Sequence, residues 1–339
     1  MSKKHIALTY DDIQLIPQYS TVSSRSLVNL TTNITKNYSL DIPILASCMD
    51  TICEDTMALV LNKLGGAGII HRFNSIEDQY LLSKKVVESR SNPNLPVCAA
   101  IGVTGDYLER AQALDEAGVN VLVIDVAHGY HLNVNKAISK IKLSTNLEII
   151  AGSIADNAAS IALEDWGADG LRVGIGNGSI CSTRVQTGFG VPSVTSIIEC
   201  SKNVSIPVIA DGGIKSSGDI AKAIAVGANA VMLGSMLAGS SATPGNVITN
   251  IDGQWKRYRG LASSDTKLIH GQSQRNIEGV STMVRYKGDT EDLIKSYLDG
   301  IRSALSYGGA STIEEFQENV DWYQVTYAGH IEGTPHILK

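Results

Sequence analysis

Cys181 is the residue whose type and surroundings most strongly indicate chemistry. It lies in the stretch GIGNGSICSTRVQTGFGVP, residues 174–192, among glycines and small hydroxyl residues. A thiolate is a nucleophile, and backbone N–H dipoles or the Arg184 guanidinium would stabilise that form. Ser179 and Thr183 add hydroxyl groups to the same loop. The loop therefore predicts a reactive thiol, and the alternative is that Cys181 is a small buried side chain.

The other cysteines are predicted to be buried, because cysteine commonly behaves as a small hydrophobic residue. They are Cys48, Cys53, Cys98 and Cys200. The total of five is odd, and no C-x-x-C motif is present. This pattern favours a reduced, cytoplasmic protein with free thiols.

Two glycine-containing segments could hold a phosphorylated ligand. ADGGI, residues 210–214, places Asp211 before two glycines, and LGS follows at residues 233–235. Glycines let backbone N–H groups approach a phosphate closely, and the Asp211 carboxylate could accept hydrogen bonds from a ribose diol. Ordinary turns between strands and helices would contain the same glycines, so both interpretations stay open at this point.

The segment VIDVAHGYH, residues 123–131, offers a carboxylate and two imidazoles. Asp125 could bind a ribose or a cation, or it could cap the following helix. His128 and His131 are three positions apart, but no further ligands follow at the spacing typical of a metal site.

Composition and charge disfavour several classes of function. The chain has 339 residues, is 43% hydrophobic and 18% charged, and carries a net charge of −6 with no block of like charges. These values are ordinary for a globular enzyme and disfavour a nucleic-acid or anionic-membrane surface. The start, MSKKHIALTYDDIQLIP, has neither the apolar run nor the cleavage site of a signal peptide. No window approaches the roughly 18 apolar residues of a membrane span.

The candidate residues follow apolar runs that are expected to form β-strands. There are eight such runs, at residues 42–47, 67–71, 97–102, 121–126, 147–152, 170–175, 208–213 and 230–235. Most are uniformly apolar, as expected of parallel strands covered on both faces. Segments with helical periodicity lie between them, for example TMALVLNKLGG and GDYLERAQALDEAG. The alternation predicts an α/β fold, a (β/α)8 TIM barrel rather than an open sheet, with catalytic groups at the carboxyl ends of the strands.

No linker or low-complexity segment divides the chain, so residues 1–339 are expected to form a single barrel domain. Residues 252–288, after the eighth run, interrupt the alternation with a polar segment containing Gly and Ser. A long irregular segment at this place predicts an active-site flap, and the alternative is an ordinary surface excursion.

Several motifs together resemble the IMP dehydrogenase/GMP reductase family. They extend along nearly the whole chain: LTYDDIQLIP, CMDTICEDTMA, GAGIIH, VIDVAHG, GIGNGSICSTR, VIADGGIKSSGDIAKA, GANAVMLGSMLAG and YRG. The Gly-Ser-Ile-Cys loop combined with ADGGI is highly specific. The resemblance implies a (β/α)8 barrel that forms homotetramers, a purine nucleotide substrate (GMP or IMP) and a nicotinamide cofactor.

The resemblance also implies roles for individual residues. The catalytic positions, a nucleophile that attacks purine C2 and two groups that assist it, correspond to Cys181, Thr183 and Glu278. The substrate contacts correspond to Ser47, Met49, Ser179, Asp211, Gly213, Gly234, Ser235, Tyr258 and Gly260. The cofactor side corresponds to Asp125 and Gly174. The backbone carbonyls that hold potassium in the dehydrogenases correspond to Gly176, Gly178 and Cys181.

Within this family the sequence favours the reductase. The segment between Gly260 and Glu278 is short and lacks the Arg-Tyr pair with which the dehydrogenases activate water, since Arg275 is followed by Asn276. No regulatory module is inserted between SIEDQ and NLPVCAAIG, and ASSDT, DVAHGY and TGFG resemble reductase forms. In contrast, YRG, GVP and MDTICEDTMA look more like a dehydrogenase. We therefore expect an NADPH-dependent GMP reductase. The alternatives are an NAD-dependent IMP dehydrogenase and a catalytically silent purine-nucleotide-binding protein.

Overall fold

Eight parallel strands close into a barrel. The computed structural model describes residues 6–269, 275, 277–335 and 337. The barrel strands are β1 (Ile44–Ala46), β2 (Ala67–Ile70), β3 (Cys98–Ile101), β4 (Val121–Ile124), β5 (Glu148–Ile154), β6 (Gly170–Val173), β7 (Val208–Asp211) and β8 (Ala230–Leu233). The ring closes where Val231 of β8 pairs with Ile44 of β1. Each predicted apolar run overlaps one of these strands, and only β5 extends beyond its run, by two residues. The predicted (β/α)8 barrel is therefore confirmed.

A helix follows each strand along the chain and covers the outside of the barrel. These helices are α1 (Asp55–Leu64), α2 (Ile76–Ser89), α3 (Tyr107–Glu116), α4 (Leu132–Ser144), α5 (Asn157–Asp165), α6 (Ser193–Ser201), α7 (Ser217–Ala225) and α8 (Thr290–Tyr307). Four of them begin where a Ser or Asp side chain accepts a hydrogen bond from a first-turn backbone N–H. The left-handed Gly65, with φ of +98°, ends α1. None of the described helices combines the length and the apolar composition of a membrane span.

Alternation along the barrel strands divides the core into two layers. Leu45, Ile69, Val123 and Ile150 belong to a cluster inside the barrel, whereas their strand neighbours pack against the helices. Both layers are buried, which explains why the strand sequences are uniformly apolar. The four cysteines predicted to be buried are buried free thiols, and Cys181 is exposed.

Short elements cover the two ends of the barrel. A hairpin of Thr32–Asn33 and Ser39–Leu40 lies at the amino-terminal end, where Leu40 packs into the inner cluster. Ile13–Leu15 pairs with Trp322–Gln324 outside the barrel. The remaining short helices are Tyr10–Asp12, Arg25–Leu27, Thr183–Thr187, Ser264–Ile269, Ile313–Asn319 and Tyr327–Glu332.

The segment after β8 contains more regular structure than its polar composition predicts. It forms an antiparallel sheet of β9 (Ile248–Asn250), β10 (Gly253–Arg259) and β11 (Ser281–Arg285). Within the predicted flap, residues 270–274 and Asn276 lie outside the described residues. The strand β10 is alternating in character, because Lys256 and Tyr258 are buried whereas Arg257 is exposed. Pairing between strands therefore gives regular structure to a segment that has no apolar run.

Two side chains of β10 fasten this sheet to the barrel. The Lys256 ammonium donates to the carbonyls of Thr243, Ser240 (3.3 Å) and Ser241 (3.4 Å). Burial lowers the pKa of Lys256. The Arg259 guanidinium bonds Asp50 at 2.7 Å, after β1. Because Tyr258 lies between these two anchors, they fix the position of its phenol.

Replacing Lys256 with methionine is expected to destabilise the protein by about 2 kcal/mol, because buried carbonyls lose a charged donor. Urea unfolding measures the change. Lys140→Met, on the exposed face of α4, is the matched control and should change stability by less than about 0.5 kcal/mol. Equal stabilities for the two variants would contradict the anchoring role.

Candidate active site

The loop after β6 presents Cys181 at the carboxyl end of the barrel. It begins at Gly174, which has a φ of +147°, and a Cβ there would lie 2.0 Å from the Asp211 carbonyl oxygen. The loop therefore passes β7 more closely than any side chain allows. Farther along, the Arg184 guanidinium donates to the Asn177 side-chain oxygen, so the positive charge of Arg184 lies beside Asn177. The short helix Thr183–Thr187 follows the cysteine directly.

The three predicted catalytic side chains form one hydrogen-bonded chain. The Cys181 Sγ lies 3.1 Å from Thr183 Oγ1, and Thr183 Oγ1 donates to Glu278 Oε2 at 2.8 Å. Glu278 is 95 residues away in sequence. A thiol, a hydroxyl and a carboxylate in this order can move a proton between the sulfur side of the site and Glu278.

Backbone hydrogen bonds hold the segment containing Glu278 against the cysteine loop. Ser182 N–H donates to Glu278 O at 2.9 Å, and Val280 N–H donates to Ile180 O at 3.0 Å. Cys181 also forms a bridge with Gly279. These contacts resemble the hydrogen bonds between paired β-strands. Backbone bonds as well as side-chain bonds therefore fix the position of the Cys181 thiol relative to the Glu278 carboxylate.

Small residues and a tyrosine surround the neighbouring part of the site. Tyr258 Oη lies 3.5 Å from Ser179 Oγ, and burial raises the pKa of Tyr258. A Cβ on Gly234 would lie 3.2 Å from Tyr258 Oη and 3.4 Å from Met49 Sδ. Gly213 has a φ of +79°. A phosphate group is bound by hydroxyl and backbone N–H donors, and it needs the space that glycines leave.

Gly260 is held by its own backbone bonds. Its N–H donates to Val280 O at 2.9 Å, and its carbonyl accepts from Ser263 N–H at 2.9 Å and from Thr266 Oγ1 at 3.0 Å. Because a carbonyl oxygen has two lone pairs, both acceptor positions of Gly260 are already used within the protein.

A chain of four buried or half-buried charges forms the floor of the site. The Arg72 Nε donates to Asp125 Oδ2 at 3.0 Å, and Arg172 Nη1 donates to Asp125 Oδ1 at 2.8 Å. Arg172 Nε donates in turn to Asp211 Oδ2 at 2.8 Å. Burial alone would raise the pKa of the Asp125 carboxyl, but Arg72 and Arg172 hold it below its ordinary value. Asp125 is thus an ionised, paired carboxylate.

Sequence reasoning missed both arginines of this chain. Arg172 interrupts the apolar run GLRVGI, and Arg72 follows the run AGIIH. A charged residue inside a strand that is buried on both faces requires a buried partner, and this signal could have identified Arg172. The helix-cap alternative for Asp125 is wrong, because the His131 side chain caps α4 by accepting from Asn133 N–H.

One cavity joins all these groups. It has a volume of about 350 Å³, within the range of small-molecule sites, and extends from Arg72 to Tyr258. Every residue to which the family resemblance assigns a role lines it, whereas Arg184, His128 and His131 do not. Among the described residues no group of three or more His, Cys, Asp or Glu side chains is arranged to hold a metal ion. Backbone carbonyls, as at Gly176 and Gly178, are the donors available to a hard cation.

Comparison with known proteins identifies relatives along the whole chain. Residues 7–336 match the family model described as IMP dehydrogenase / GMP reductase domain. The chain is 39% identical to inosine-5'-monophosphate dehydrogenase of Cryptosporidium parvum over 393 aligned residues, which cover 100% of this chain and 98% of that protein. It is 32% identical to GMP reductase of Leishmania major, with 98% of this chain and 97% of that protein covered. The crystal structure of a GMP reductase from Trypanosoma brucei in complex with guanosine 5'-monophosphate matches with a TM-score of 0.93 at 31% identity, covering 98% of each chain.

Replacing Asp125 with asparagine tests the charge chain through its pH dependence. A carboxyl with a lowered folded-state pKa stabilises the protein above its unfolded pKa and loses that contribution as pH falls through the folded value. Asp125→Asn should therefore cost about 3 kcal/mol at neutral pH, where a buried pair is broken. It should also show a shallower loss of stability below about pH 4. Urea unfolding across this range, with the exposed Asp252→Asn as control, measures both effects, and parallel curves for wild type and Asp125→Asn would contradict the pairing.

Proposed function

Because the chain belongs to the IMP dehydrogenase/GMP reductase family, we propose that it is a GMP reductase. It converts GMP to IMP and ammonia with NADPH as the hydride donor, through a covalent adduct between Cys181 and purine C2. The named relatives include both activities, so the choice of branch depends on this chain's own residues.

The observation that carries the reductase assignment is the segment between Gly260 and Glu278. It contains no Arg-Tyr pair, and such a pair is the water-activating device that hydrolysis of the adduct requires in the dehydrogenase. A reductase must exclude water from the adduct, because hydrolysis would give XMP. The exposed thiol and its hydrogen-bonded partners Thr183 and Glu278 are present, while the sequence of this segment lacks the Arg-Tyr pair.

Binding of GMP would use the two sides of the cavity near Cys181. Ser179, Gly213, Ser235 and the Tyr258 phenol supply donors for the phosphate, and Gly234 leaves the space. The Asp211 carboxylate, held by Arg172 through Oδ2, offers an acceptor to the ribose hydroxyls. Met49, Ser47 and Gly260 line the cavity on the side proposed for the base.

The proposed reaction begins when the Cys181 thiolate adds to C2 of GMP. The bond from C2 to the exocyclic nitrogen then breaks, and the amine leaves as ammonia after accepting a proton through Thr183 and Glu278. This step leaves a thioimidate on Cys181. When hydride reaches C2, the C–S bond breaks, IMP is released and the thiolate is restored. Donors fixed around the ring would stabilise the changing charge of the purine.

We propose that the part of the cavity around Asp125 and Gly174 holds the nicotinamide. NADPH, when bound, supplies the hydride. Asp125 and Gly174 both line this part of the cavity, beside Val126 and Ala127. The ionised Asp125 gives the chain a fixed negative charge there, and the apolar neighbours would exclude water from the ring. The same resemblance leads us to propose a homotetramer and a potassium ion held by the carbonyls of Gly176, Gly178 and Cys181.

IMP dehydrogenase is the second candidate. It is favoured by the 39% identity to the Cryptosporidium parvum protein and by the YRG and GVP segments. Its first covalent step would use the same Cys181, but hydride would move from the adduct to NAD and water would then release XMP.

An assay with two mixtures distinguishes the candidates. Purified protein should oxidise NADPH in the presence of GMP and show no turnover with IMP plus NAD, as followed by absorbance of the reduced nicotinamide. Cys181→Ala should abolish the activity, and Cys200→Ala, a buried cysteine outside the site, is the control. Turnover only with IMP and NAD would overturn the reductase proposal. Binding of nucleotide without turnover in either mixture would favour the silent binding protein.

The proton path predicts a separate effect of Thr183. Thr183→Val removes the hydroxyl between the thiol and Glu278 and should lower kcat for GMP reduction by about 10²- to 10⁴-fold, as expected for loss of general acid–base assistance. KM for GMP should change little. Ser182→Ala removes a neighbouring hydroxyl that is outside the relay and should retain activity. Equal kcat values for Thr183→Val and wild type would contradict the relay.

A further inference from the structure

Arg172 is shared by two carboxylates that lie in different parts of the cavity. Its Nη1 donates to Asp125 Oδ1 at 2.8 Å, and its Nε donates to Asp211 Oδ2 at 2.8 Å. Its Nη2 is also 2.8 Å from Asp211 Oδ2. Arg172 is 7% exposed and Asp125 is 5% exposed. The guanidinium therefore spans the floor of the cavity with one edge on each carboxylate.

The two carboxylates follow different strands and are assigned to different ligands. Asp211 ends β7 and precedes Gly212 and Gly213, on the side proposed for the sugar and phosphate. Asp125 follows β4 and precedes Val126, on the side proposed for the nicotinamide. Within the described residues, Asp211 Oδ1 accepts no hydrogen bond in the structure, so this oxygen is available to a ligand.

The fixed geometry of the Arg172 guanidinium links the positions of the two carboxylates that share it. The group is planar, and its donors point in fixed directions, so a rotation that improves one pair displaces the other. Because the Arg172 and Asp125 side chains are buried, Asp125 cannot exchange Arg172 for solvent without a large cost. A ligand that orders Asp211 therefore also orders Arg172, and through it Asp125. A second ligand at Asp125 then meets a site that is already ordered.

We propose that Arg172 is a positioning residue that couples nucleotide binding to cofactor binding, so that each ligand raises the affinity for the other. The proposal rests on the proposed function, because it assumes that the two halves of the cavity hold a sugar phosphate and a nicotinamide dinucleotide. Binding linkage is reciprocal, so the factor must be the same in both directions.

The test measures binding without chemistry and without direct contact between the ligands. Ribose 5-phosphate has no base to touch a nicotinamide, and NADP⁺ has no hydride to give. Calorimetry gives the Kd of each, alone and with the other at saturation. In the wild type the affinity is expected to rise about fivefold or more in both directions. A factor of one in the wild type would overturn the proposal.

Arg172→Lys keeps the charge but replaces the two-edged fork with a single ammonium. It is expected to reduce the coupling factor below about twofold, a value near the absence of linkage. Arg110→Lys is the matched control, since Arg110 is similarly buried (6% exposed) and bonds Asp106 and Gln79 away from the cavity. It should keep the wild-type factor. An unchanged coupling factor in Arg172→Lys would overturn the proposal. If the role of Arg172 were only structural, the substitution would change the affinity for each ligand but would leave the coupling factor at its wild-type value.

Asp125→Asn provides the second variant if Arg172→Lys does not fold. It retains an oxygen for Arg172 but removes the charge that holds the guanidinium, and it should reduce the coupling in the same way, whereas retained coupling would overturn the proposal. The outcome is distinguishable from failure of the proposed function. A protein without GMP reduction fails the two-mixture assay, whereas a GMP reductase without Arg172-dependent coupling passes that assay and fails only this one.

Discussion

The buried ion pairs of Arg172 are the interaction on which the site depends. Three strands of the barrel, β4, β6 and β7, end at Asp125, the Cys181 loop and Asp211. Arg172 joins the two carboxylates from β6, which pairs with β7 and is separated from β4 by β5. An unpaired charge at this depth would be costly, so the carboxylates and the guanidinium must fold into place together. The same pairs keep Asp125 ionised and leave one oxygen of Asp211 without a protein donor. They therefore set where negative charge and a free acceptor lie on the floor of the cavity.

The catalytic groups are assembled from distant parts of the chain. The thiol comes from the loop after β6, and its carboxylate partner comes from the segment that leads into β11. Backbone hydrogen bonds from residues 180 and 182 to residues 278 and 280 align the two, and Lys256 and Arg259 fasten the sheet that carries the segment. The segment after the barrel therefore contributes Glu278 to the candidate active site. In the proposed reaction, its sequence decides whether water can be activated beside the Cys181 adduct.

Much of this architecture can be predicted from short segments of the sequence. Mostly apolar runs predicted all eight barrel strands because each strand is buried on both faces. The glycines at 174 and 213 indicated a site because close backbone approach and positive φ leave a local signature. The strands β10 and β11 escaped prediction because their order comes from cross-strand pairing and from anchors such as Lys256, which are contacts distant in sequence. The partners of Arg172 were missed for the same reason: which carboxylates meet a buried arginine is decided by barrel closure.

In the proposed reaction hydride, and not water, meets the adduct on Cys181. The most direct measurement uses GMP with NADPH that carries deuterium at the transferable position of nicotinamide C4, followed by mass spectrometry of the purine product. Hydride transfer to the adduct predicts IMP with one deuterium at C2, formed in a 1:1 ratio to the NADP⁺ produced. Unlabelled IMP, or XMP as the product, would contradict it.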